Sequence, residues 1–138
     1  MLHPMLLAEL LDDEVAVAAE RLGTRAEALG HDGRYVHCRV TGADGALLWL
    51  RMDAAGYDAD PVGVDVCDDA GTTMALERWP TGLAYSVHPV HGRPWVCTRG
   101  AAEYHTYPSH HVERWDVYRS TLRLPELLDH LLRKAGRP

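Results

Sequence analysis

The chain has 138 residues, 46% of them hydrophobic and 25% charged, which is enough to bury a core without disulfide or metal staples and is typical of a single globular domain spanning 1–138. A net charge of −6, with arginines scattered along the chain, argues against nucleic acid as the main partner, since phosphate contacts want a basic face. No run reaches the roughly 18 apolar residues of a membrane span, and no charged-then-apolar leader opens the sequence, so a cytoplasmic protein away from membranes is expected.

Residues 5–22 (MLLAELLDDEVAVAAERL) repeat apolar side chains at helical spacing. Leu6, Leu10 and Val17 fall in the stripe, with acids opposite, and Gly23 or Gly30 is placed to end the helix. The period then changes. Residues 34–41 (RYVHCRVT) alternate, GADG at 42–45 turns the chain, and 46–52 (ALLWLRM) completes a hairpin. A break at 56–61 (GYDADP) precedes a third strand at 62–67, and a fourth is expected over 73–78. Cys38 and Cys67 sit in these apolar alternations and read as buried strand cysteines, and Trp79 reads as core. Three cysteines, an odd number, point to free thiols rather than a disulfide framework. Near the end, Leu122, Leu124, Leu127, Leu128, Leu131 and Leu132 recur at helical spacing, with Pro125 in the first turn, before the basic tail RKAGRP. The expected fold class is α+β: an N-terminal helix, a four-stranded antiparallel meander sheet, a long active-site loop and a C-terminal helix.

The loop carries the chemistry. His88 to Trp115 holds five of the nine histidines together with Cys97, and Pro89, Pro94 and Pro108 keep it irregular. Three readings of these residues stand side by side. Cys97 is a candidate nucleophile, with Arg93 and Arg99 as nearby positive charges and His105, His110 or His111 as candidate bases. Alternatively Cys97, His105, His110 and His111 are ligand types that suit zinc, although C-x7-H-x4-H-H lacks the paired Cys-x-x-Cys of common zinc sites. In the third reading the histidines bond the loop backbone, while Tyr104, Tyr107 and Trp115 pin it to the sheet. Glu103 and Asp116 are acids that could orient a histidine. The sequence has no glycine-rich phosphate loop and no serine nucleophile elbow, which sets aside nucleotide binding and α/β-hydrolase chemistry.

The order of these features resembles the ubiquitin-conjugating (UBC) superfamily, in particular its divergent prokaryotic members encoded beside ubiquitin-like and JAB-peptidase genes. His88-Pro89 precedes Cys97 by nine positions, as the family's His-Pro-Asn precedes its catalytic cysteine, and Gly92 and Val96 are placed like its Gly-x-Ile-Cys ending. Tyr57 and Pro61 are similar to the Tyr-Pro and Pro-Pro segment that follows the family's second strand. Val90 stands where the family carries asparagine, so polar help at the cysteine would come from His105 and His110. The resemblance implies a carrier that forms a thioester between Cys97 and the C-terminus of a ubiquitin-like protein and then passes it to an acceptor. His105 or His110 would act as base, and His88 or the backbone at 98–100 would support the oxyanion. It implies a ubiquitin-like protein, its activating enzyme and a JAB-type peptidase as pathway partners, docking of the activating enzyme on the N-terminal helix, and no cofactor. The alternatives are a non-catalytic UBC/RWD-like binding module, or a zinc-binding protein using Cys97, His105 and His110.

Overall fold

Helix α1 (Pro4–Leu22) starts where the sequence gives it two starting signals. Pro4 supplies a preset helical φ, and the His3 side chain accepts the Met5 N–H at 3.1 Å. It stops at Gly23, whose φ of +54° suits glycine. In this computed structural model, which describes residues 2–110 and 112–136, the buried face of α1 is Leu7, Leu11, Glu14, Ala18 and Leu22. The stripe read from the sequence is therefore displaced by one residue. Leu6 is 54% and Val17 40% exposed, because the helix has more apolar residues than its one covered face can bury, and spacings of four and three select the Leu7 set.

The sheet runs β1 (Gly30–His31), β2 (Tyr35–Thr41), β3 (Leu47–Asp53) and β4 (Gly63–Cys67), each antiparallel to the next. Cys38 pairs with Leu50 and Leu50 with Val66. This register sends Val36, Cys38, Val40, Leu48, Leu50, Met52, Val64 and Val66 inward together, all essentially sealed from solvent. Four strands are present, but one is not where the alternation suggested. Residues 73–78 make a single bridge, Thr73 to Cys67, and then a 3-10 turn over Leu76–Arg78. Trp79 is buried there, its indole N–H donating to the Met74 carbonyl at 2.9 Å. The fourth strand lies at the opposite edge, and a two-residue Gly-His strand is too short to show any period.

The irregular half contains a small hairpin, β5 (Ser86–Val87) with β6 (Pro94–Trp95), then two short helices, α2 (Ala102–Thr106) and α3 (Trp115–Tyr118). Helix α4 (Leu124–Lys134) closes the domain. Its start is capped by Glu126, which accepts the Arg123 N–H at 3.0 Å. Leu124, Leu127, Leu128, Leu131 and Leu132 are buried against α1 and the inner sheet face. Burying five leucine side chains contributes on the order of 10 kcal/mol before entropy is counted.

Glu14 ties the two long helices to the loop after β3. Its carboxylate is buried and accepts the Tyr57 hydroxyl at 2.8 Å, the Leu124 N–H at 3.1 Å and the Arg123 guanidinium at 2.5 Å. A buried charge is tolerated only when it is satisfied in this way. Among the described residues no helix is long and apolar enough to cross a membrane.

Candidate active site

The platform under the loop is built first. His88 is fully buried. Its Nδ1 accepts the N–H groups of Val90 and His91 at 3.0 and 3.1 Å. Nε2 must then carry the proton, which it donates to the Glu103 carbonyl at 2.8 Å. One imidazole thus stitches the β5–β6 turn to α2. Trp95 stacks on Tyr107 beside it, with ring centroids 4.8 Å apart. The Glu103 carboxylate, also buried, accepts the Val64 N–H at 2.8 Å and pairs with Arg93 at 2.7 Å, locking α2 to β4.

Cys97 follows directly. Its residue sits at the tip of a three-residue turn in which the Thr98 N–H returns to the Val96 carbonyl at 3.0 Å. Gly100 then takes φ +102°, and its N–H donates to His105 Nε2 at 3.0 Å. The other nitrogen of His105 donates to the Glu113 carbonyl at 2.6 Å. With both ring nitrogens occupied, His105 is fixed as a neutral tautomer, and burial pushes its pKa down.

The half-buried thiol of Cys97 faces a different histidine. Cys97 Sγ lies 3.8 Å from His110 Nε2, and His110 Nδ1 is 3.0 Å from Glu113 Oε2. A carboxylate only accepts, so Nδ1 carries the proton and Nε2 turns its lone pair to the sulfur. Glu113 is itself held: its Oε2 also accepts the Tyr104 hydroxyl at 2.8 Å, and its Oε1 pairs with Arg99 at 2.6 Å. The Tyr104 hydroxyl, with Arg99 beside it, keeps this carboxyl below the usual range. The Tyr104 ring stacks on His110, centroids 4.1 Å apart and planes within 12°, so the imidazole is fixed by a ring on its face and an acceptor on its edge. Thiol, imidazole and carboxylate form a line of the type that activates a nucleophile.

Burial pushes the Cys97 thiol up. The ammonium of Lys134 opposes this, and the charge of Glu113 adds to it. The thiol therefore rests protonated at neutral pH, and reaction requires the base beside it. Lys134 Nζ donates to the Cys97 carbonyl oxygen at 2.7 Å. Of the three amides that follow Cys97, those of Thr98 and Gly100 are taken. Among the described residues the Arg99 N–H has no hydrogen-bond partner.

Of the sequence candidates, Cys97 and His110 meet. His105 and His88 are bonded into the backbone on both ring nitrogens and make no hydrogen bond to the thiol. His111 lies outside the described residues. Glu103 does meet a histidine, but through its carbonyl, and Asp116 is exposed beside Arg114 and Arg119. The acid that orients the histidine is Glu113, which sequence reading passed over. Its signal was the spacing of three residues from His110. Cys38 and Cys67 are buried strand cysteines, as their alternation suggested. Among the described residues no three His, Cys, Asp or Glu side chains converge as a metal site. Compared with known proteins, the sequence matches no family model and no curated protein.

Proposed function

We propose that this protein is an acyl carrier of the ubiquitin-conjugating kind, holding the C-terminus of a ubiquitin-like protein as a thioester on Cys97. The observation that carries the reading is the line from Cys97 Sγ through His110 to Glu113 on an otherwise braced loop. The α+β frame, the turn at buried His88 and exposed Pro89 ahead of the cysteine, and the half-exposed thiol support the same reading.

In the first half-reaction His110 Nε2 takes the Cys97 proton as sulfur attacks the donor thioester carbonyl. The new C–S bond forms, the old one breaks, and the donor thiolate leaves with the proton from His110. In the second half-reaction an amine attacks the Cys97 thioester. Its proton passes to His110, and the Cys97 thiolate is expelled and reprotonated. Splitting one acyl transfer in two keeps the acyl group activated between partners. Glu113 holds the imidazole in the working tautomer and balances its charge when protonated. The Arg99 N–H receives the oxyanion. The partners are the modifier, the activating enzyme that donates it and, in the same pathway, a JAB-type peptidase.

The test uses a short peptide ending in Gly-Gly, activated as its mercaptoethanesulfonate thioester, and follows adducts by intact mass. The expected result is a dithiothreitol-labile adduct on Cys97, absent in Cys97→Ala and formed about 100-fold more slowly at neutral pH in His110→Ala. Adducts on Cys38 or Cys67 instead, or an unchanged rate in His110→Ala, would leave a non-catalytic binding module as the better account.

A further inference from the structure

The sequence contains fourteen Lys and Arg residues, of which thirteen are arginine. Lys134 is the single lysine. It could lie anywhere on the surface, yet it occupies the last turn of α4 with Nζ donating to the carbonyl oxygen of Cys97 at 2.7 Å. The position is fixed from behind. A Cβ on Gly82 would fall 1.7 Å from the Lys134 carbonyl, so the turn at 80–82 packs backbone to backbone against the end of this helix, and only glycine permits the approach.

From this juxtaposition we propose that Lys134 is an acceptor in cis: the acyl group carried by Cys97 is transferred to Lys134 Nζ, and the protein thereby modifies its own C-terminal helix. The inference rests on the carrier reading and deepens it. Nζ already touches the backbone of the residue that bears the thioester, and rotation about the four side-chain bonds of lysine lets it reach the acyl carbon. Holding amine and thioester on one chain replaces a bimolecular encounter. Lys134 is an exposed residue, and the partial desolvation of its ammonium against the domain lowers its pKa, which favours the neutral, nucleophilic amine. None of the thirteen arginines can compete, because a guanidinium stays protonated. In the transfer the neutral amine attacks the thioester carbonyl, the C–N bond forms and the C–S bond breaks. The amine's proton goes by way of His110 to the departing Cys97 sulfur. The product is an isopeptide beside a regenerated thiol.

The experiment incubates the full chain with the same Gly-Gly peptide thioester and measures intact mass before and after dithiothreitol, with the adduct mapped by tandem mass spectrometry. In the wild type a labile adduct on Cys97 is expected to give way to a thiol-resistant adduct of equal mass on Lys134. Lys134→Arg should lose the resistant adduct while still showing the labile one, and Cys97→Ala should lose both. A labile adduct on Cys97 with no resistant adduct on Lys134 would overturn the self-transfer and leave the carrier intact. A resistant adduct forming equally fast in Cys97→Ala would also overturn it, since the amine would then react unaided. No labile adduct in any variant would overturn the carrier reading and this inference together.

Discussion

Replacing Glu113 with glutamine tests the line of three residues more sharply than deleting the nucleophile does. Three donor contacts converge on the carboxylate: Oε2 accepts from His110 and from Tyr104, while Oε1 accepts from Arg99. Arg99 also lies over the Tyr104 ring, 5.9 Å away. A glutamine has one acceptor end. If its oxygen faces His110 and Tyr104, the NH2 group meets Arg99 and that ion pair is lost. If it faces Arg99, the NH2 group meets His110, whose Nδ1 must then accept and whose Nε2 turns a proton toward the sulfur. Either arrangement also removes the negative charge that balances an imidazolium. Base catalysis of this kind is worth roughly 100-fold to 10,000-fold in rate. Because one of the two glutamine poses retains the tautomer, the expected loss at neutral pH lies near the lower end, about 100-fold. The pH profile separates this from misfolding. Glu113 is one of the groups that push the Cys97 thiol up, so its removal shifts the uncatalysed thiolate reaction toward lower pH. Once the pH exceeds the thiol pKa, no base is needed. Acylation of Cys97 by the peptide thioester, measured by stopped-time mass spectrometry from pH 6 to 10, should therefore show wild type and variant far apart near neutrality and converging in alkali. Overlapping profiles near pH 7 would refute the assignment of Glu113 and with it the relay.

Two further outcomes follow from groups outside the relay. Glu14→Gln breaks a buried carboxylate that satisfies Tyr57, Arg123 and the Leu124 amide. Asp58 still pairs with Arg123, so a loss of about 3 kcal/mol is expected in urea unfolding rather than complete unfolding, and a loss under about 1 kcal/mol would contradict the structure. His105 is held neutral by burial, with its pKa below that of the unfolded chain. Its contribution is present above the unfolded pKa and is lost as pH falls through the range below about 6.5. The midpoint of thermal unfolding should drop between pH 7.5 and 5.5, and His105→Gln should flatten that drop; an equal drop in both proteins would argue against a structural role for this ring.

The two long helices and the three longer strands were legible because each buries one face, and a single face writes its period into the sequence. What period cannot show is which of two adjacent apolar stripes is covered. Leu6 and Leu7 are the same residue type one position apart, and only the placement of α4 decides between them. Nor could it show β1, whose two residues have no alternation. In the site, composition located the loop and spacing located Cys97, but the five histidines were indistinguishable as letters. Their roles separate through their second nitrogen. His88 and His105 give theirs to backbone atoms, while His110 gives one to Glu113 and leaves the other facing sulfur. A backbone carbonyl or amide has no letter, so two of the three assignments were written in a medium that sequence reading does not see. The third depended on an acid three positions away, and that was visible.

Every side chain of the relay and its supports, from Cys97 and Arg99 through Tyr104 and His110 to Glu113, comes from seventeen consecutive residues. The proposed chemistry is therefore written as one short linear phrase, C-x-R-x4-Y-x5-H-x2-E, and the helices and sheet act as its mount. Such a phrase can be sought in other chains whatever the rest of their sequence has become. It can also be grafted as a single cassette onto a different mount, provided that mount supplies a glycine-backed helix end beneath the cysteine.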